Sequence, residues 1–178
     1  LAVLETLLSQ EEVSWSGDYY NFDALTVMPR PEDPIPLMLA VMAPQGIEDA
    51  ARRGYHVQTT PLGASNQILM DQVNAFHRGK AASGVTGTRL SLQRGMYLAA
   101  SKADAADKIA RAHAYYARFD NVFGGPGIVE NGIIKALPRK QTIEELGANI
   151  LICGPDEMIE RLAEYAELGI DEVITSSN

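Results

Sequence analysis

The sequence predicts an α/β fold that holds about half of a (β/α)8 barrel. Three observations carry this reading. Short apolar runs alternate with amphipathic stretches, the pattern of parallel βαβ units joined by right-handed crossovers. Four runs have the character of barrel strands, near residues 37–41, 56–60, 90–97 and 172–175. The chain has 178 residues, whereas a complete barrel needs eight strands and roughly 250 residues. A flavodoxin-like open sheet is the competing architecture. Neither a Gly-x-Gly-x-x-Gly turn nor a P-loop is present to favour it.

The elements follow in chain order. Leu1, Leu4, Leu7 and Leu8 recur at helical spacing over Leu1 to Ser9. Gly17-Asp18, between Trp15 and Tyr19-Tyr20, reads as a hairpin turn. An extended run from Ala24 to Met28 leads into Pro29-Arg30-Pro31. Pro31, Pro34 and Pro36 make a rigid, non-helical connector. Leu37 to Val41 is continuously apolar, as expected of a strand buried on both faces. Pro44 opens a helix that runs through Ile47 and Ala51 and ends at Gly54. Tyr55 to Thr60 is a second strand. Ser65 caps a helix from Asn66 to His77, and the Gly, Ser and Thr of Ala81 to Thr88 read as a mobile loop.

Leu90 to Ala99 is a third strand, and an alanine-rich helix spans Ala103 to Arg118. Asn121 to Gly132 holds four glycines and a proline, so it reads as a flexible excursion, either a lid or disordered. Ile143 to Leu146 forms a short helix, and Asn149 to Cys153 is apolar. Pro155, the acids Asp156 and Glu157, and Gly169 punctuate a helix that ends at Leu168. Glu172 to Thr175 is the last strand. The whole of 1–178 reads as a single domain. It begins at Leu1 in mid-helix and stops at Ser176-Ser177-Asn178, so a fragment of a longer chain is expected.

Composition narrows the function classes. A hydrophobic content of 46% suits a folded domain with a sizeable core. The net charge of −8 argues against nucleic acid, which needs a basic patch. No apolar run approaches the roughly 20 residues that cross a bilayer, and no leader pattern is seen, so no membrane role is expected. Cys153 is the single cysteine. It excludes an internal disulfide and a cysteine-only zinc site, and it fits a reducing, cytoplasmic setting. His56, His77 and His113 show no metal spacing, so no metal is expected.

Several segments, taken in order, carry a family resemblance. They are Trp15-Ser16-Gly17-Asp18-Tyr19-Tyr20-Asn21-Phe22 with Met28-Pro29-Arg30-Pro31; Pro36 to Val41 with Ala43-Pro44 and Ala50-Ala51-Arg52-Arg53-Gly54-Tyr55; Cys153 to Leu162; and Gly169 to Ile174. Together they resemble the C-terminal half of the luciferase-like, flavin-dependent monooxygenases. The resemblance covers nearly the whole chain. It implies a TIM-type barrel of which this chain holds strands 5–8. It also implies reduced FMN, or a deazaflavin in some branches, at the carboxyl mouth of the barrel. The implied reaction inserts oxygen from O2 into a small organic substrate, with a separate flavin reductase as partner. Some members are dehydrogenases instead. The catalytic residues typical of the family would lie in the other half, so none is named here. A non-catalytic flavin-binding half-barrel is the remaining alternative. Such a half exposes strand edges and an apolar face, so a homo-oligomer is expected.

Candidate site residues follow from position. Met42, Ala43, Pro44, Gln45 and Gly46 link a strand end to a helix start, where free amides and the helix dipole attract anions. The resemblance makes this turn the flavin and phosphate site, often with Ser or Thr hydroxyls. Ala43 and Gly46 stand at those positions and carry none, which leaves backbone amides and Gln45. An ordinary strand-to-helix turn is the bland reading. Thr59 and Thr60 end the second strand, where barrel sites collect, and are candidate substrate contacts; exposed loop threonines are the alternative. Alternation puts Arg94 on a face with Leu90, Leu92 and Met96. A charge there needs an anion or a buried carboxylate, so Arg94 is a third candidate substrate contact, against a structural ion pair. Cys153 precedes a helix N-terminus and reads as a small buried residue.

Overall fold

The computed structural model describes residues 1–176; Ser177 and Asn178, on which the chain stops, lie outside the described residues. The chain divides into two compact units, Leu1–Leu37 and the remainder from Met38 onward. In the first unit, helix α1 (Ala2–Ser9) precedes an antiparallel hairpin of β1 (Val13–Ser16) and β2 (Asn21–Leu25). The turn falls at Gly17-Asp18, as expected. Asn21 secures it: its Oδ1 accepts from the Gly17 amide at 3.1 Å and from the Ser16 hydroxyl at 3.1 Å. The run expected to extend to Met28 ends as a strand at Leu25.

The second unit is a parallel sheet with helices between its strands. β3 (Met38–Ala40), α2 (Pro44–Arg52), β4 (His56–Thr59), α3 (Asn66–Ser83), β5 (Leu90–Leu98) and α4 (Lys102–Phe123) follow one another. Then come the short hairpin β6 (Val129–Glu130) and β7 (Ile133–Ile134), and α5 (Ile143–Asn149). β8 (Leu151–Cys153), α6 (Pro155–Glu167) and β9 (Glu172–Ser176) complete the unit. The sheet runs β3-β4-β5, and β5 then forks. Its first half, Ser91 to Gly95, pairs with β9, and its second half, Met96 to Leu98, pairs with β8. The sheet therefore has five strands rather than four. The apolar run at Asn149–Cys153 is itself a strand, too short for periodicity to separate it from a buried helix turn.

Three further expectations change. β3 is not buried on both faces: Met38 is 44% exposed, and among the described residues β3 pairs with β4 alone. α3 runs to Ser83, six residues beyond His77, and ends at Gly84 in the left-handed conformation (φ 67) that commonly closes helices. The glycine that weakens the helix signal there, Gly79, has a packing reason. A Cβ at that position would stand 2.3 Å from the Glu48 backbone oxygen of α2, so a bare Cα lets α2 and α3 pack backbone to backbone. The Gly-rich excursion is neither wholly loop nor disordered. α4 extends through its first residues, and the β6–β7 hairpin follows. Asn121, fully buried, holds that segment: its amide donates to the Ile128 and Lys135 oxygens, both at 2.8 Å, and its Oδ1 accepts from the Ile128 amide at 3.0 Å.

Ile47, Val57, Phe76, Leu90 and Leu92, all fully buried, form the core between sheet and helices. Full burial of such a side chain contributes roughly 1.5–3 kcal/mol. A second cluster packs Leu146, Ile150 and Ile152 against Tyr97, Ile109 and Tyr116. α5 starts on a reciprocal capping box, Thr142 with Glu145.

Candidate functional site

The sequence-predicted site residues gather at the carboxyl end of the sheet. β3 ends at Ala40, β4 at Thr59, and β5 rises past both. Met42, Ala43, Pro44 and Gln45 are exposed, so the turn is open to a ligand. Pro44 is the first residue of α2, and its N-cap Ala43 offers no side-chain hydrogen bond. Among the described residues no N-cap side chain bonds the first-turn amides, which leaves their positive field available to an anion. That arrangement fits a phosphate. Gly46 has its own reason: a Cβ there would lie 2.7 Å from Val41 Cγ1. The missing hydroxyl at Gly46 is therefore the consequence of a helix packed tightly on its strand end. Gln45 does not turn toward this field; its amide donates to Asp49 Oδ1 at 3.1 Å, along the helix.

Thr59 and Thr60 behave differently from exposed loop threonines. Thr59 is 2% exposed, and its Oγ1 has no hydrogen-bond partner among the described residues. Thr60 is half-buried, and its Oγ1 accepts from the Leu62 amide at 2.9 Å. Arg94 is 1% exposed. The carboxylate expected beside it is absent among the described residues. Instead Nη1 donates to the Leu62 oxygen at 2.7 Å, while Nε and Nη2 are unpartnered there. Nε and Nη2 form the edge of a guanidinium that grips an oxyanion with two parallel bonds. Leu62 itself sits at φ 54, a left-handed conformation costing roughly 1–2 kcal/mol for an L-residue. Thr60 and Arg94 hold it there, one on its amide and one on its carbonyl.

Sequence reasoning missed two groups. Gln72 of α3 is 2% exposed, and its Nε2 donates to the Met42 oxygen at 2.9 Å and to the Thr60 oxygen at 3.2 Å. The available signal was a polar residue amid the apolar stripe Leu69, Val73 and Phe76. The second group is a polar cluster over the loop after β4. Arg139 lies over the Tyr116 ring, 5.5 Å from its centroid, with Nε 3.2 Å from Asp120 Oδ2 and Nη2 donating to Gln141 Oε1 at 2.9 Å. Gln141 Nε2 donates to the Gly63 oxygen at 2.7 Å. Burial raises the Tyr116 phenol above its ordinary value, against the opposing influence of Arg94 and Arg139. No spacing in the sequence links residues 63, 116, 139 and 141.

Other candidates take structural places. Cys153 is 3% exposed, and burial, with the nearby Glu157 carboxylate, pushes its thiol up. His56 Nδ1 accepts from the Arg89 amide at 3.0 Å, at the amino end of the sheet. His77 and His113 bond the Leu168 and Gln141 carbonyls, each at 2.8 Å. Among the described residues no three His, Cys, Asp or Glu side chains group as metal ligands, and no helix is long and apolar enough to cross a membrane. A groove of about 630 Å³ between α3, α5 and α6, lined by Leu69, Asn149, Arg161 and Tyr165, lies among the helices rather than at the strand ends.

With this geometry in place, residues 1–172 match the family described as luciferase-like monooxygenase. The chain is 26% identical, over 174 residues, to the oxygenase component of the flavin-dependent trigonelline monooxygenase of Acinetobacter baylyi, covering 89% of this chain and 48% of that protein. It is 24% identical, over 181 residues, to an F420-dependent glucose-6-phosphate dehydrogenase of Intrasporangium calvum, covering 98% of this chain and 52% of that one. The fold resembles that of an F420-dependent secondary alcohol dehydrogenase in complex with an F420-acetone adduct. The TM-score is 0.72 at 19% identity, over 99% of this chain and 53% of that one. The chain thus spans about half the length of the relatives it matches.

Proposed function

The chain belongs to the luciferase-like monooxygenase family, and on that premise we propose that it serves a flavin-dependent monooxygenase that uses reduced FMN and O2 to oxidise a small organic substrate. One observation carries the proposal. The turn Met42–Gly46, uncapped and exposed from Met42 to Gln45, the strand end Thr59-Thr60 and the buried Arg94 converge at the carboxyl end of one parallel sheet. This is where α/β barrels keep their ligands.

The cofactor, when bound, supplies the electrons and reacts with O2. The residues of this chain bind and orient. Amides of Ala43, Pro44's successor Gln45 and Gly46 hold the cofactor's anionic end through the first turn of α2. Thr59, Thr60 and Arg94 contact the substrate, with Arg94 drawing an anionic group if the substrate carries one. The hairpin after α4 acts as a cover that keeps water from the reacting atoms. A separate flavin reductase supplies reduced cofactor, and pairing with another copy or with the other half of the barrel covers the edge of β3. The lone, reduced Cys153 accords with a cytoplasmic setting.

A second reading is a deazaflavin-dependent dehydrogenase on the same fold, supported by the F420-dependent relative that matches 98% of this chain. Anaerobic titration of the chain with reduced FMN, and separately with the reduced deazaflavin F420, decides between them. Saturable binding of FMN supports the monooxygenase, and saturable binding of the deazaflavin alone selects the dehydrogenase. A folded chain that binds neither means that the other half of the barrel carries the site or that this half is a structural piece, and the site residues named here fall.

A further inference from the structure

Gln72 stands on the helix behind the sheet, yet it reaches both strand-end turns. Its single amide nitrogen bonds the Met42 oxygen, 30 residues earlier in the chain, and the Thr60 oxygen, 12 residues earlier. A carboxamide nitrogen has two hydrogens in one plane. With one hydrogen on each carbonyl, the angle between the two bonds is set by the planar nitrogen. The backbone after β3 and the backbone after β4 are thereby held at one separation. Neither neighbouring side chain joins these two turns: Gln45 bonds Asp49, and Thr60 Oγ1 bonds Leu62.

The side chain is itself fixed. Gln72 is 2% exposed, flanked on α3 by Leu69, Val73 and Phe76, each exposed to 2% or less. α3 in turn rests backbone to backbone on α2 at Gly79. The helix that carries the clamp and the helix that begins at the cofactor turn are therefore packed directly on each other.

We propose that Gln72 is a positioning residue for the cofactor mouth: by clamping the Met42 and Thr60 carbonyls it sets the width between the turn that receives the cofactor and the strand end that faces the substrate. This rests on the reading of Met42–Gly46 as the cofactor turn. The residue type matters because both bonds need a donor. Glutamate would set a carboxylate against two carbonyl oxygens, and methionine would leave both carbonyls without their partner.

The test uses Gln72→Met and Gln72→Glu, with Val73→Ala as a control that loosens the same helix and keeps the clamp. Amide hydrogen exchange and the dissociation constants for reduced FMN and reduced deazaflavin are read on all four proteins. In Gln72→Met, exchange at residues 41–47 and 59–64 is expected to rise more than elsewhere in the chain. The Kd for the cofactor that the unmodified protein binds is expected to rise about tenfold, comparable to the net contribution of one or two hydrogen bonds. In Gln72→Glu the loss is expected to shrink as pH falls, because a protonated carboxyl regains one donor. Val73→Ala is expected to lower the melting temperature while leaving Kd unchanged. An unmodified protein that binds cofactor, together with a Gln72→Met variant whose Kd moves no more than that of Val73→Ala, overturns the positioning role. Binding of neither cofactor by the unmodified protein overturns instead the cofactor reading on which the role rests. If Gln72→Met does not fold, Gln72→Glu and its pH dependence carry the same decision.

Discussion

Gly79 of α3 rests against the Glu48 backbone of α2 so closely that a Cβ would stand 2.3 Å from the Glu48 oxygen and 2.8 Å from the Ala51 Cβ. This contact couples the helix that carries Gln72 to the helix that starts at the candidate cofactor turn. Because the opposing atom is backbone, no rotamer change relieves the overlap.

Gly79→Ala is therefore expected to destabilise the fold by about 1–3 kcal/mol, the range for overpacking. Ordinary helix propensity alone would make the same change stabilising by roughly 1 kcal/mol. Thermal unfolding separates the two: a melting temperature at or above that of the parent removes the close-packing argument.

Arg94 offers a test in the opposite direction. Its charge is buried with one bond to the Leu62 carbonyl and with Nε and Nη2 unpartnered among the described residues. Replacing a poorly compensated buried charge by an apolar side chain of similar length is often neutral or stabilising by about 1–4 kcal/mol. Because the same change also frees the Leu62 carbonyl, whose bond contributes roughly 0.5–1.5 kcal/mol, Arg94→Met is expected to leave the melting temperature of the ligand-free protein little changed while raising the KM of an anionic substrate. A clear drop in melting temperature would assign Arg94 to the scaffold.

Asn121 holds the segment after α4 through Ile128 and Lys135. Asn121→Ala removes three hydrogen bonds from a fully buried site, each contributing roughly 0.5–1.5 kcal/mol. Hydrogen exchange should accelerate most at residues 125–136. Uniform acceleration along the chain would show instead that Asn121 supports the whole unit.

The N-terminus of α4 is expected to weaken in acid. Asp104 accepts from Lys108 Nζ at 2.6 Å and from the Ala100 amide at 2.8 Å. These bonds, Lys108 first, lower its pKa below the ordinary 3.8. A depressed carboxylate stabilises the fold above its unfolded pKa, and that contribution is lost as pH falls through the lower folded value. Stability should therefore drop as pH falls below about 4 in the parent, and less so in Asp104→Asn. Identical pH profiles for the two proteins would count against this assignment.

Much of the architecture was legible because it depends on local rules. The Gly17-Asp18 turn, Pro44 and Pro155 at helix starts and Gly169 after α6 are read from residue type alone, and each falls where expected. The boundaries that moved did so for reasons held elsewhere in the chain. α3 outruns its sequence signal because Gly79, poor in an isolated helix, is what α2 requires. β8 is a strand because β5 is long enough to offer it a second edge.

The site divides along the same line. The sequence by itself determined the chemistry on offer at the strand ends: a Pro-led helix turn at Met42–Gly46, hydroxyls at Thr59 and Thr60, and a charge at Arg94 on an apolar strand. These follow from side-chain type and from the direction of a βαβ unit. Tertiary structure decided which of them meet and what each can still do. It buried Thr59, turned Gln45 along its helix, gave Arg94 a carbonyl in place of a carboxylate, and brought Gln72 onto two distant turns. The physical reason is that a hydrogen bond depends on distance and direction in space. Residues 30 positions apart can share one amide nitrogen, and no periodicity along the chain records it.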